Sequence, residues 1–261
     1  MDNLDAYTKS LYCDDEYILR NPTLHREDSS WKVSKIIPLV DKLMSGFDKN
    51  EMNLLDVGGG AGVIINAVSR YISNKYNIKV NKYLLDLSPG MLEVQMKENP
   101  DFKRALNENI CETSISEKEM DLTLMVDILE HIPDDYKALM EVKRISKFVI
   151  FKVPLEDSLS HRIWNFVRRG KPRRHLAESV GHINFYNFRA VKYRIEKYTG
   201  QIMYYYFTNA FDYLRKSEYY WGKMNLIRRL KNIVAEYTYK ISPRLCSEIF
   251  GDFAMILVKC H

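Results

Sequence analysis

The stretch LLDVGGGAG, Leu54 to Gly62, constrains this chain more than any other. An apolar run ends in an acid, meets a glycine cluster, and gives way to a segment of helical period from Val63 to about Asn74. Ile64, Val68, Tyr71 and Ile72 form one stripe of that segment. The alternation continues with strand KYLLDL (82–87). Ser88 and Pro89 follow, placed as N-cap and first residue of a helix through GMLEVQMKEN. A weak strand near RALNENI, the strong strand DLTLMVDIL, a helix capped by Asp134 and Asp135 that runs to about Ser146, and strand KFVIFKV complete the period. Strand–helix alternation of this kind builds right-handed crossovers and a parallel sheet with helices on both faces. Upstream, Val33, Ile36, Ile37, Val40 and Leu43 mark a helix over 30–46, with Asp28 or Ser29 as its cap. After Pro154 the sequence turns helical, aromatic and basic. Two late strand candidates, GQIMYYYF and GDFAMILVK, would add an antiparallel edge.

Composition excludes several classes. With 46% hydrophobic and 28% charged residues the chain reads as an ordinary globular protein. Its longest apolar runs, such as FAMILV, fall far short of the roughly 20 residues that span a bilayer. The acidic, polar Met1–Arg20 segment does not read as a secretory signal. Cys13, Cys111, Cys246 and Cys260 form no CxxC pair and have no histidine at metal-ligand spacing, so reduced cysteine, a cytoplasmic location and no metal are expected. The net charge of +5 is concentrated in RRGKPRRH (168–175) and IRRLK (227–231). Such clusters read as a solvated basic face, or as a contact for an anionic substrate, a phospholipid surface or nucleic acid.

The glycine turn narrows the ligand. A dinucleotide fingerprint requires G-x-G-x-x-G or a closing Ala; Gly58 and Gly60 fit, but the third position is Val63. A P-loop requires Lys and Ser or Thr after its last glycine, and neither follows Gly62. Two acids point the same way. Asp56 ends strand one, where a carboxylate repels pyrophosphate and attracts an ammonium. Asp86 ends strand two, where a carboxylate can take both hydroxyls of a ribose. The implied guest is a nucleoside with a cationic tail, a description that S-adenosylmethionine fits.

At these residues the chain resembles the class I S-adenosylmethionine-dependent methyltransferases, in particular their small-molecule branch. LLDVGGGAG matches the D-x-G-x-G-x-G signature at Asp56, Gly58, Gly60 and Gly62, with Val57 and Gly59 in the same turn. LLDLSPGML matches the second motif, which implies Asp86 as the ribose acid, Leu87 beside it and Met91 near the adenine. NENI resembles the third, implying Asn109 and Ile110 at the adenine. VDILEHIPDD resembles the strand-four motif, implying Val126 and Asp127 at the cofactor. Thirty residues separate Asp56 from Asp86, more than the usual interval of about 20; Ser73–Lys82 would absorb the excess as a longer helix end and loop. The resemblance implies a Rossmann-like, seven-stranded, mostly parallel sheet with helices on both faces, an antiparallel last strand and a helical cap. It implies one domain over 1–261: a cap or lid at 1–48, a cofactor-binding core at 52–155, an acceptor-side cap with edge strands at 156–250, and a final strand at 251–261. The implied cofactor is S-adenosyl-L-methionine, with S-adenosyl-L-homocysteine as product.

Methyl transfer to a hydroxyl or ammonium also requires a base, and histidine is the first place to look. His131 follows strand four, His182 lies in GHINFYNF after strand five, and His25 lies in NPTLHREDSSWK before the first helix, where a lid would close. Trp31 could then be a lid aromatic and His25 or Asp28 a pocket polar group; the plainer readings are His131 as a cap for the next helix, Asp28 and Ser29 as helix caps, and Trp31 as core. The segment 224–241 reads as a helix docked on the sheet through Leu226, Leu230, Ile233 and Tyr237 with Ile227, Val234 and Ile241, or as a basic amphipathic helix on an anionic membrane; docking is the expected one. KVPLEDSLSHRIWN and GHINFYNF are similar to bacterial and archaeal methyltransferases linked with polysaccharide or glycolipid synthesis. The expected reaction is therefore O-methylation of a sugar, glycolipid or related small polar metabolite. Methylation of RNA through the 168–174 segment and a non-catalytic cofactor-fold binding protein are the alternatives. Peripheral contact with an anionic membrane at the inner surface is a further expectation.

Overall fold

The computed structural model describes Leu24 and residues 26–261. His25 and Cys13 lie outside the described residues, as does most of the segment before the first helix. Helix α1 (Arg26–Met44) precedes β1 (Glu51–Val57), α2 (Val63–Tyr76), β2 (Lys79–Leu85), α3 (Pro89–Glu98), β3 (Arg104–Leu106) and β4 (Met120–Val126). A 3-10 turn at Leu129–His131 leads to α4 (Asp135–Ile145), β5 (Ser146–Pro154), α5 (Leu159–Val167), α6 (Lys171–Val180) and α7 (Phe188–Tyr198). The chain ends with β6 (Gly200–Phe207), α8 (Ala210–Lys216), α9 (Glu218–Gly222), α10 (Leu226–Ile241), α11 (Pro243–Phe250) and β7 (Phe253–Cys260).

The described strands form one seven-stranded sheet in the order β3-β2-β1-β4-β5-β7-β6. β1 to β5 pair in parallel, whereas β7 runs antiparallel to both β5 and β6. The order reverses direction between β1 and β4, and a sheet opens a ligand crevice at such a switch. Pleating sends neighbouring residues to opposite faces. Leu54 packs with Ile36, Val40, Ile65, Val68 and Ile72 under α1 and α2, while Leu55 packs with Leu139, Val142, Ile145 and Ile195 under α4 and α7. β1 is thus apolar on both faces, which is why its sequence reads as an unbroken run rather than an alternation.

Local chemistry sets the element ends. Ser88 Oγ accepts the Met91 N–H at 3.2 Å ahead of Pro89, the expected cap of α3. The long Asp56–Asp86 interval is taken up by α2 reaching Tyr76, where Asn77 turns left-handed, and by β2 starting at Lys79. Two capping expectations are corrected. α1 starts at Arg26, so Asp28 and Ser29 sit in its first turn rather than before it. Asp134 stands at the N-cap of α4, but its carboxylate bonds Lys137 Nζ at 2.8 Å and caps nothing; Asp135 takes the Tyr186 hydroxyl and Arg194 instead.

The largest correction concerns α10. The helix turns Asn232, Ala235 and Glu236 inward and its apolar stripe outward. Leu226, Ile227, Leu230, Val234, Tyr237 and Ile241 are all exposed, Ile227 by 77% and Ile241 by 82%. The reason is that α10 packs on helices rather than on the sheet. Asn232 Nδ2 donates to Phe211 O at 2.7 Å, Glu236 pairs with Arg215 at 2.5 Å, and Ala235 O accepts from Cys246 Sγ at 3.2 Å. Small and polar groups make those contacts. No helix among the described residues is long and apolar enough to cross a membrane.

Candidate functional site

A cavity of about 770 Å³ opens along the carboxyl edge of the central strands, a volume suited to small molecules. Its floor is the turn after β1. Gly58 and Gly60 have φ of 59° and 56°, a region that only glycine enters freely. A Cβ on Gly59 would stand 2.4 Å from Asp56 Oδ2, so the bare backbone there admits the carboxylate beneath it. Asp56 is buried, and its Oδ2 has no hydrogen-bond partner among the described residues. Burial, with the nearby charge of Asp86 added, pushes its carboxyl up to about 8.

Asp86 is better supported. Its Oδ1 accepts the Ser88 N–H at 2.9 Å and its Oδ2 accepts from Gln95 Nε2 at 2.6 Å. Burial still raises it to about 6, against those two bonds. The opposite wall carries an ionic cluster. Asp127 follows β4 with φ of 57°, uncommon for a residue with a side chain. Its carboxylate pairs with Lys152 of β5, and also with Lys32 of α1 at 3.1 Å, which in turn reaches Asp28 at 3.1 Å. Burial opposes ionisation of Asp127, but Lys152 and Lys32 hold it well below the ordinary carboxylate range.

Beyond Asp127 the cavity ends in two imidazoles and a carboxylate. The rings of His131 and His182 meet edge to face, their centres 4.8 Å apart. His131 Nδ1 lies 3.1 Å from Gly181 O, an atom that only accepts, so Nδ1 carries the proton. His182 Nδ1 lies 2.7 Å from Glu156 Oε2. Beside them Glu130 is 0% exposed, and among the described residues neither of its carboxylate oxygens has a hydrogen-bond partner. Burial first, then the charge of Asp127, raises its carboxyl far above the ordinary range.

Residues 55–148 match the family model described as Methyltransferase domain. That match assigns residues 55–148 to a methyltransferase domain, and the fold around it is the class I methyltransferase fold. The methyltransferase is an enzyme that uses S-adenosylmethionine. No curated protein matches the sequence. Its fold is shared with geranyl diphosphate C-methyltransferase from Streptomyces coelicolor A3(2), solved with Mg2+, geranyl diphosphate and S-adenosyl-L-homocysteine. That pair shows 10% identity and a TM-score of 0.56, over 86% of this chain and 80% of that one. The Haloferax volcanii protein solved with the Trm112 methyltransferase activator aligns at 12% identity and a TM-score of 0.60, over 93% of this chain and 98% of that one. Haemonchus contortus phosphoethanolamine N-methyltransferase 2, solved with phosphomonomethylethanolamine and S-adenosylhomocysteine, aligns at 14% identity and a TM-score of 0.51, over 85% and 52% of the two chains.

The methyltransferase cavity gathers Asp56, Val57, Gly58, Gly59, Gly60, Asp86, Leu87, Met91, Asn109, Ile110, Val126, Asp127, His131 and His182. Gly62 does not line it. With φ of 76° it starts α2, and a Cβ there would stand 2.6 Å from Asn99 Nδ2, so its glycine serves helix packing. Asn109 Oδ1 accepts the Cys111 N–H at 2.9 Å. Trp31 stacks on Tyr213, ring centres 4.7 Å apart, as an aromatic contact between α1 and α8. Sequence reasoning missed Gln95, Lys32, Lys152 and Glu130. Lys152 had a signal: a lysine inside the apolar strand VIFKVP must bury its ammonium beside an acid.

Proposed function

We propose that this enzyme methylates a hydroxyl of a small polar acceptor, a sugar or a glycolipid headgroup first, with an amino group as the nearest variant. The observation that carries this reading is the order of groups along the sheet edge. Asp86 follows β2, Asp56 ends β1, Asp127 follows β4 and Glu156 follows β5, so adenosine chemistry lies at one end and the histidine pair at the other. Asp86, held by Ser88 and Gln95, takes the ribose hydroxyls, and the unpartnered Asp56 Oδ2 takes the ammonium of the amino acid tail. Val57, Gly58, Gly59 and Gly60 let that tail lie against main chain. Leu87, Met91, Asn109 and Ile110 flank the adenine, and Val126 and Asp127 underlie the sulfur.

When bound, S-adenosylmethionine supplies a methyl group on a sulfonium, whose leaving group is neutral and good. The protein therefore contributes alignment and desolvation more than acid catalysis. His131 and His182 face the acceptor and relieve it of its proton, each ring oriented through Nδ1 by Gly181 O or Glu156. The expected test is a labelled-methyl screen of nucleotide sugars, glycolipids and cell RNA. Label in a sugar or glycolipid that His182→Ala reduces at least tenfold supports the reading. Label confined to RNA would replace it.

A second observation bears on where the acceptor is met. α5 and α6 bury none of their residues; Phe166 of α5 is 84% exposed, and the outward stripe of α10 adds to that apolar area. α5 packs against α6 and α11, and α11 packs against α10, so the helices that carry the two basic segments are neighbours. Leu176 and Val180 of α6 line the cavity, which places that side at its mouth. Apolar side chains interleaved with lysine and arginine suit an anionic lipid surface. We read this face as a peripheral lipid contact that presents a lipid-borne acceptor to the cavity.

A further inference from the structure

We propose that Glu130, His131 and His182 bind a divalent first-row metal ion at the acceptor end of the cavity. The use assigned to the ion rests on the methyl-transfer reading above, but the binding itself rests on geometry. One ligand atom from each residue lies within 4.8 Å of the other two. A four-coordinate ion with bonds of about 2.1 Å holds its ligands roughly 3.4 Å apart, so small side-chain rotations close the set. Two imidazoles and one carboxylate leave coordination positions open, as catalytic rather than structural metal sites do.

Two independent observations favour an ion over a packed polar cluster. Glu130 is completely buried, lines the cavity, and has two carboxylate oxygens without any hydrogen-bond partner among the described residues. Buried carboxylates are otherwise paired or hydrogen-bonded, and the buried ammonium of Lys152 is bonded to Asp127 instead. The second observation lies behind the rings. His131 is held through Nδ1 by a backbone carbonyl and His182 through Nδ1 by Glu156, the outer-shell pattern that fixes the tautomer and orientation of ligating histidines. Two imidazoles beside one carboxylate favour Zn2+ or Co2+ over Mg2+. With the ion bound, the two imidazoles are ligands rather than bases, and the ion would take over that part: it would hold the acceptor's hydroxyl oxygen at an open position, make its proton easier to lose to solvent, and orient it toward the methyl donor.

The test uses the full chain stripped of metal by a chelator that is then removed. Titration with Co2+ should give one equivalent of bound ion with visible ligand-field absorption, which Zn2+ displaces, and Zn2+ should raise the melting temperature. Glu130→Gln and His182→Ala should each weaken Co2+ binding at least tenfold. Glu130→Gln should also melt at or above the stripped wild type, because it removes an uncompensated carboxylate, and this shows that the variant folds. Absence of stoichiometric Co2+, Zn2+ and Mn2+ binding to wild type overturns the inference, as does binding that both variants retain. If methyl transfer proceeds undiminished in chelator, the metal inference falls while the methyltransferase reading stands; if metal binds and no acceptor is methylated, the reverse holds.

Discussion

Asp56 is a costly side chain in the cavity when no ligand is present. Its carboxyl, raised to about 8 by burial and by Asp86, favours the protonated form in the folded chain, whereas the unfolded chain releases that proton near pH 4. A raised acid therefore lowers folding stability as pH climbs from about 4 towards 8. Asp56→Asn should flatten that slope and raise the melting temperature of the ligand-free protein at pH 8, as thermal melts across pH would show. The same change should abolish the stabilisation that S-adenosylhomocysteine gives the wild type. A ligand ammonium prefers ionised Asp56, so binding at pH 7 should release close to one proton, measured by calorimetry in buffers of different ionisation enthalpy. Gly59→Ala tests the same site sterically. Its Cβ would stand 2.4 Å from Asp56 Oδ2, so cofactor affinity should fall at least tenfold in the same calorimetry.

At the scale of elements, the strands and the glycine turn were legible because both depend on local pattern. An apolar run such as LLDV, buried on both faces, leaves a signature that no tertiary context reverses. The orientation of α10 was not legible. Its apolar stripe satisfies the rule for docking on a sheet, but the contacts it makes are helix–helix contacts formed by Asn232, Ala235 and Glu236. The assembly at the acceptor end was hidden for another reason. Glu130 and His131 meet His182 only through the fold, so no spacing in the chain could announce them as a set. The outward stripe makes a sharp stability prediction. Ile227→Ser and Leu226→Ser should each change unfolding free energy by no more than about 0.5 kcal/mol, the ordinary surface range. Burial against the sheet would instead cost about 2–5 kcal/mol, and denaturant titration separates the two.

For the whole molecule, the proposed reading sets adenosine over β2 and β1 and the acceptor over β4 and β5, with α6 lining the cavity through Leu176 and Val180 and the exposed apolar side chains of α5 and α10 forming the proposed lipid face. If that face meets lipid, sedimentation with anionic vesicles should exceed that with zwitterionic ones and weaken with salt. Phe166→Ser combined with Ile227→Ser should reduce it without altering cofactor affinity. Equal sedimentation with both vesicle types would remove the lipid contact and leave the cavity assignments untouched.

The measurement that bears most directly on all of this is calorimetric titration of the purified chain with S-adenosylhomocysteine, NAD and ATP, in wild type and Asp86→Ala. S-adenosylhomocysteine should bind alone among the three. Loss of the hydrogen bonds from the ribose to a charged acceptor should weaken it by about 1.5–3 kcal/mol in Asp86→Ala, roughly ten- to a hundredfold in Kd. Saturable binding of NAD or ATP without S-adenosylhomocysteine, or equal affinity in the two proteins, would contradict the assignment of the cavity.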